Sequence, residues 1–529
     1  MKPLKIIRFY SLIPSLLVCL SASSQTFSII NYGAVSDKPK NNAAAIQKAV
    51  DACYSNGGGM VYVPAGTFVT GTFHLKSNVN LYLESGAVLK GSPDLADYDT
   101  YTIAAYGLNY YGILYTANAE NVSITGQGKI DGNNFVFLDF NKAKKIDTAS
   151  IRLTRQKTNY RHVDSGIGDG PVVPNDVRPH QMLIFSNCKN VRLRGIVLAN
   201  SPFWTLHFAD CDGVNVDGIS IASGMLVPNA DGIDVTSCSN VVIADCDIRS
   251  GDDAIAIVGY DHHFEIPGFS GLKHLSENIL ISNCNLQSYS SAIRIGFLDQ
   301  NSVKNIQVNN VNITNSTRGI GIFVRDEGSL ENIHFSNMYI ETRLRTGDWW
   351  GNGEPIHISA VRGKKDVKLG VVKDVSFTNI TCKSENGVLI WGSVESIIQH
   401  ITLDHVTLQL DNSPLNKVAG GNIDLRGCLY EKDQLFAADI AAFKVNYIDG
   451  LAIEHCSVSW DSAITQSYFT NALEVQHFKR LQLSDFTGAA SPSGNKGSAI
   501  LLREGEGADI DFPKKEVTVD NVKNITWDK

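Results

Sequence analysis

The chain has 529 residues, is 43% hydrophobic and 19% charged, and carries a formal net charge of −8. This is the composition of a folded protein, and its acidity argues against nucleic acid as a partner, because phosphates need a basic face. No stretch beyond the N-terminal region reaches the roughly 20 apolar residues of a membrane span, so no membrane span is expected.

Lys2, Lys5 and Arg8 precede an apolar run from Phe9 to Leu20, followed by Ser21, Ala22, Ser23 and Ser24. This pattern predicts a signal peptide over residues 1–24 and a secreted or periplasmic mature chain, 25–529. Loss of three basic residues with the signal would move the net charge from −8 to −11. Of ten cysteines, Cys19 lies in the signal. Cys188, Cys211 and Cys238 stand two residues before repeat units, and Cys246 and Cys284 occupy the seventh position of theirs. Such regular placement predicts thiols filling core columns, with neither disulfides nor a metal site.

Ala43 to Cys53 reads as one amphipathic helix, with Ala45, Ile46, Ala49 and Val50 on one face and Gly57–Gly59 ending it. Strand-like alternation follows through Val61, Val63, Leu81 and Leu83. From NVSITGQGKIDG at Asn121 onward the chain repeats itself. Units begin at Asn190, Gly213, Asn240, Asn278, Asn305, Asn332, Asp374 and His400, at intervals of 23, 27, 38, 27, 27, 42 and 26 residues. Periods in this range predict a solenoid, and short β-branched runs without intervening helices predict an all-β, single-stranded parallel β-helix. The initial helix would cover its open end as a short N-terminal cap. Longer intervals mark inserted loops at about 133–179, 260–277 and 343–354. The first holds the basic run Arg152, Arg155, Lys157 and Arg161, and the last holds Trp349 and Trp350. Past Leu408 the repeat blurs, although GNIDLRG, LAIEHCSVSW and RLQLSDF look like further coils.

Each unit is followed by a second short strand, and these align on apolar pairs: Ile233/Val235, Ile255/Ile257, Ile293/Ile295, Ile320/Ile322, Ile356/Ile358 and Val388/Ile390. Between each pair an outward column reads Asp234, Ala256, Arg294, Gly321, His357, Leu389. Two residues before each pair, a second column reads Asp231, Asp253, Ser291, Arg318, Glu354, Asn386. Strict alternation would turn this second column inward, so Asp231 and Asp253 are expected in the turn just before the strand, where unpaired carboxylates avoid burial in an apolar stack. Within NADGIDV and GDDAIAI, Asp231 and Asp253 would then lie side by side on adjacent coils, facing Asp252. Three acids so placed suit general acid/base work, with one pKa raised.

INYGAV, GGGMVYVPAGTF, NVSITGQGKIDG, RPHQMLIFSNCKNV, NSPFWTLHF, NADGIDV and GDDAIAI, in this order across most of Ile30–Arg325, resemble the polygalacturonase family, glycoside hydrolase family 28. The resemblance implies a right-handed β-helix and inverting hydrolysis of a glycosidic bond in pectin, with Asp252 as general acid and Asp231 and Asp253 positioning and deprotonating water. It implies no metal and no cofactor. Where the family usually has Gly-His-Gly, this chain has Ser290, Ser291 and Ala292, and where it has Arg-Ile-Lys, Gly321, Ile322 and Phe323. Hydrolysis is therefore a firmer expectation than polygalacturonan as substrate. Arg294, one coil before the missing arginine, could hold a carboxylate or sulfate instead. The expected substrate contacts are Asn229, Arg294, Arg318, Glu354 and His357.

The sequence thus predicts a glycoside hydrolase acting on a pectin-type or related acidic polysaccharide or oligosaccharide, with exo-action or a branched substrate favoured by the inserted loops. A lyase or epimerase on the same scaffold, or a non-catalytic carbohydrate-binding β-helix, are the rival readings. Oligomeric state is not legible.

Overall fold

The unit starts read from sequence fall in one structural column. Val191 pairs with Val214, and the parallel register continues through Val241, Ile279, Ile306, Ile333, Val375 and Ile401. The structure is a computed structural model and describes residues 25–103, 107–144, 151–162, 170–174, 177–260, 275–297, 300–428, 434–493 and 497–528. The expected signal, and most of the 260–277 segment with His262 and His263, lie outside the described residues.

The residue that opens each unit turns the chain. Asn190, Asn240, Asn278, Asn305 and Asn332 all take left-handed backbone, with φ between 53° and 58°. Asn tolerates that conformation, and its amide then bonds the coil below. Asn332 Nδ2 donates to Asn305 Oδ1 at 2.8 Å, and Asn305 to Asn278 at 3.1 Å. Val, Ile and Leu of the following strands point inward and form one continuous buried core. The nine cysteines from Cys53 to Cys456 are buried, none disulfide-bonded among the described residues, and the Cys211 amide donates to Cys238 Sγ at 3.3 Å.

The helix Ala43–Ser55 buries Ala43, Ile46, Ala49, Val50 and Cys53 against the first coil, as a cap. Nearly all strands join one long ladder of parallel pairs that continues to Val517–Trp527. This is a right-handed parallel β-helix, the hand that parallel connections take.

LAIE and RLQLS do form coils, within Phe443–Glu454 and Leu473–Ser484. GNIDLRG does not. Its Asn422–Asp424 strand pairs antiparallel with Leu435–Ala437, in a small sheet standing off the helix. The sequence shows alternation there but no partner one period away, which is what the β-helix reading lacked.

The second strands stack in the register read from sequence: Asp234 beside Ala256, then Arg294, Gly321, His357 and Leu389. The strands beginning at Ile233 and Ile255 start two residues after Asp231 and Asp253, which therefore sit in the preceding turns. The entry into the strand is tight. A Cβ on Gly232 would stand 2.4 Å from the Ala254 carbonyl oxygen, and one on Gly319 equally close to that of Pro355. Small residues here let successive coils approach while the residue before them projects out of the stack.

Candidate active site

Three turns bring the acids together. One carboxylate oxygen each from Asp231, Asp252 and Asp253 lies within 4.8 Å of the others. Backbone geometry fixes them. The Gly232 amide donates to the Asp253 carbonyl at 2.9 Å, joining the two turns across adjacent coils. Ser250 and Ser288 hydroxyls both donate to the Asp252 carbonyl at 2.6 Å. Asp252 Oδ1 accepts from the Asp253 amide at 3.0 Å, and Oδ2 from the Asn229 amide at 3.2 Å. Asp253 Oδ1 accepts from the Ser291 amide at 2.9 Å, while Oδ2 forms an ion pair with Arg294 Nε.

This packing controls the protons. Burial, reinforced by the charge of Asp253, lifts the Asp252 carboxyl to about 7, against the opposing pull of Arg294, a Ser290 hydrogen bond and the Asn229 amide. Asp231 is raised well above the usual carboxylate range, first by burial and then by Asp234, Asp252 and Asp253. Asp234 is raised mainly by burial too. Asp231, Asp234 and Asp252 are thus coupled in their protonation, and near neutrality Asp252, the most solvent-accessible of the three cleft acids, is poised to give up a proton.

The cleft is lined by these three acids, Asn229, Ser290, Ser291, two cations and four aromatic side chains: Trp204, Phe297, Phe323 and Trp350. Arg294 and Arg318 are the cations. Arg318 Nη1 lies 3.3 Å from Ser291 Oγ, its Nε 3.7 Å from Glu354 and its Nη2 3.8 Å from Asp424. Both arginines also flank rings, Arg294 at 5.6 Å from Phe297 and Arg318 at 5.0 Å from Phe323.

Two expected substrate contacts are not in the cleft. Glu354 and His357 are buried, and neither lines it. His357 occupies its expected column, but the Phe323 ring packs edge-on against it at 5.2 Å and 88°. Burial lowers the imidazole to about 4 and leaves it neutral. Burial alone would raise Glu354, but Arg318 and His357 outweigh it and hold the carboxyl below its ordinary value. Glu354 also accepts from the Asn352 amide at 2.6 Å. Its place is beneath the 343–354 loop, supporting Arg318.

That loop forms the cleft wall toward the later coils. Trp350 meets Phe297 edge-on at 5.8 Å and lines the cleft, whereas Trp349 is buried against Tyr289. The irregular 413–428 segment holds the wall up, and sequence reasoning missed it. Asp424 accepts from the Gly351 amide at 2.9 Å and pairs with Arg426, whose guanidinium lies 4.5 Å from the Trp350 ring. Arg161, from the basic run of the first inserted loop, is buried and donates to the carbonyls of Trp349 and Gly351. Arg155 pairs with Asp439. Arg178 was also missed: it donates to the Pro202 and Pro228 carbonyls at 2.7 and 3.0 Å and to Asn229 Oδ1 at 3.2 Å, fixing the turn before Asp231. Only its place in RPHQ could have signalled it.

Residues 173–419 match the model of glycosyl hydrolases family 28. A "Probable polygalacturonase" of Vitis vinifera is 29% identical over 257 residues, 46% of this chain and 46% of its own length. An "Exo-poly-alpha-D-galacturonosidase" of Dickeya chrysanthemi is 28% identical over 265 residues, 44% of this chain and 42% of its own. The chain thus spans about half the length of the curated relatives it matches. A solved exopolygalacturonase from Thermotoga maritima, 23% identical, covers 73% of this chain and 87% of its own with a TM-score of 0.58, which shows a shared fold. The segment 173–419 that matches the model of glycosyl hydrolases family 28 encloses all three cleft acids and both cleft arginines.

Proposed function

We propose that the protein is a glycoside hydrolase acting on a pectin-type or related acidic polysaccharide, exported to the periplasm or beyond the cell. The observation that carries this reading is Asp252, held near a pKa of about 7 within reach of two further carboxylates. Asp252 protonates the leaving glycosidic oxygen. Asp253, in its ion pair with Arg294, takes the proton of the attacking water, and Asp231 orients that water. Support for an acidic substrate comes from the two cleft arginines, the family match and the relatives' names. Export rests on the N-terminal sequence pattern.

Inversion is proposed from the family resemblance, with Asp231 and Asp253 sharing one water. The spacing does not argue for it. At 4.8 Å or less between nearest oxygens, the acids lie closer than the roughly 6.5–9.5 Å typical of inverting pairs. Proton NMR of the first-formed sugar reads the outcome, and the retained anomer would end the inverting mechanism while leaving hydrolysis intact. Action from chain ends is favoured by the wall built from the 343–354 loop, which crosses the sheet face beside Phe297. Incubation with pectic, rhamnogalacturonan and sulfated polysaccharides is expected to release reducing mono- or disaccharides from the start. Products absorbing in the ultraviolet would indicate a lyase, and binding without turnover a carbohydrate-binding β-helix.

A further inference from the structure

A second cluster lies on a different turn of the β-helix, and none of its residues lines the cleft. One turn column runs Asn310, Asn337, Asn379, His405, His455 and Asp485, all left-handed with φ between 47° and 57°. In the earlier coils the column is an amide ladder. Asn379 Nδ2, for instance, donates to Asn337 Oδ1 at 2.7 Å. At the two histidines the pattern changes. Their rings stack at 4.4 Å and 24°, and both Nδ1 atoms converge on one oxygen, Asp404 Oδ1, at 2.6 Å from His405 and 3.0 Å from His455. Among the described residues, neither Nε2 has a hydrogen-bond partner.

We propose that Asp404, His405 and His455 form a surface site for a divalent transition metal of the zinc type, clamping two successive coils. Imidazole nitrogens and a carboxylate oxygen suit zinc, copper or nickel rather than calcium or magnesium, which prefer all-oxygen shells. A tetrahedral zinc with bonds of about 2.0–2.1 Å needs its ligand atoms roughly 3.3 Å apart. The two nitrogen–oxygen separations of 2.6 and 3.0 Å reach this with shifts of a few tenths of an ångström. In the tautomer that carries its proton on Nε2, an imidazole presents the Nδ1 lone pair, the atom that already faces Asp404 in both rings, to the metal. Asp485, at the same position one coil on, or water completes the shell. A hydrogen-bonded ladder alone would need no convergence of two rings on a single acceptor.

The full chain, stripped with chelator, is titrated with Zn²⁺ by calorimetry and with Cu²⁺ by electron paramagnetic resonance. The site predicts one zinc per chain, a two-nitrogen copper spectrum, and at least a tenfold loss of affinity in His405→Asn and His455→Asn. Asn fills this turn position in four earlier coils, at Asn283, Asn310, Asn337 and Asn379, so both variants keep the ladder, which circular dichroism verifies. Wild type and both variants binding zinc equally would place the metal elsewhere, the cleft acids included, and overturn the site. So would the absence of stoichiometric binding or a copper spectrum without two nitrogens.

Discussion

Asp253 and Arg294, on adjacent coils, form an ion pair at the floor of the cleft, with side chains only 5% and 12% exposed. Replacing Arg294 by Gln leaves a nearly buried carboxylate without its counter-ion, and such a group takes up a proton rather than stay charged. The proposed base is then lost at neutral pH. We expect kcat to fall roughly 10²–10⁴-fold, the usual worth of a general base. The variant's KM separates two roles. Little change means that Arg294 acts through Asp253, and a rise above tenfold means that it also grips the substrate.

The pH profile follows from Asp252. Its acid form, needed for leaving-group protonation, is present below a pKa of about 7 and lost above it. The kcat/KM of wild type should therefore fall on the alkaline side with a midpoint near 7. Stability has the same sign. The folded pKa lies above the ordinary 3.8, so the folded chain binds more protons than the unfolded one between about pH 4 and 7, and stability declines as pH rises through that window. Asp252→Asn removes a buried charge, and should raise the melting temperature at pH 8 while lowering kcat by 10²–10⁴-fold. A variant less stable than wild type at pH 8 would contradict the raised pKa.

The sequence made the ladder legible to the residue, because a period-2 strand inside a period near 27 leaves only one register that buries every Ile and Val. The neighbouring places of Asp231 and Asp253 followed from that register once a turn was set before each strand, while the roles of the three acids came from the family resemblance. The burial of His357 and Glu354 did not follow, since whether an outward column faces solvent depends on what is folded over it. Here Phe323 and the 343–354 loop do the covering, and neither is periodic. Arg161 shows the same limit. Its neighbours are mostly polar, and nothing in a charged run reveals that one guanidinium reaches the backbone of a loop 188 residues away.

Phe323 lies over Gly321 so closely that a Cβ at 321 would stand 2.6 Å from the ring. The ring is held by Arg318 and Arg325 at 5.0 and 5.1 Å, and it presents an apolar wall where a cation would otherwise project. Phe323→Ala should weaken binding of sugars with apolar faces by about 1–3 kcal/mol, read as a rise in KM. Adding Gly321→Arg to that variant, which frees the space, should shift kcat/KM toward polygalacturonan over rhamnogalacturonan. Gly321→Arg alone should be inactive or unstable, because arginine and ring compete for the same volume. An unchanged preference in the double variant would remove Phe323 from specificity.

Asp424 supports the cleft from outside the repeat. Burial would raise its carboxyl, but Arg426 and Arg318 dominate and hold it far below the ordinary range. Asp424→Asn leaves these two buried guanidinium groups short of countercharge, and breaking a buried pair in this way costs about 3–5 kcal/mol. The variant keeps an acceptor for the Gly351 amide, so its loss reports charge rather than shape. Because the folded pKa is depressed, the stabilisation is present above the unfolded value of 3.8 and vanishes as pH falls through the folded one. The gap in melting temperature between wild type and variant should thus be wide at pH 7 and shrink below about pH 4. Activity on polymer should fall along with it, since Trp350 loses the arginine beneath its ring. A variant as stable as wild type at pH 7 would mean that Arg318 and Arg426 are balanced by Glu354 and Asp348 alone.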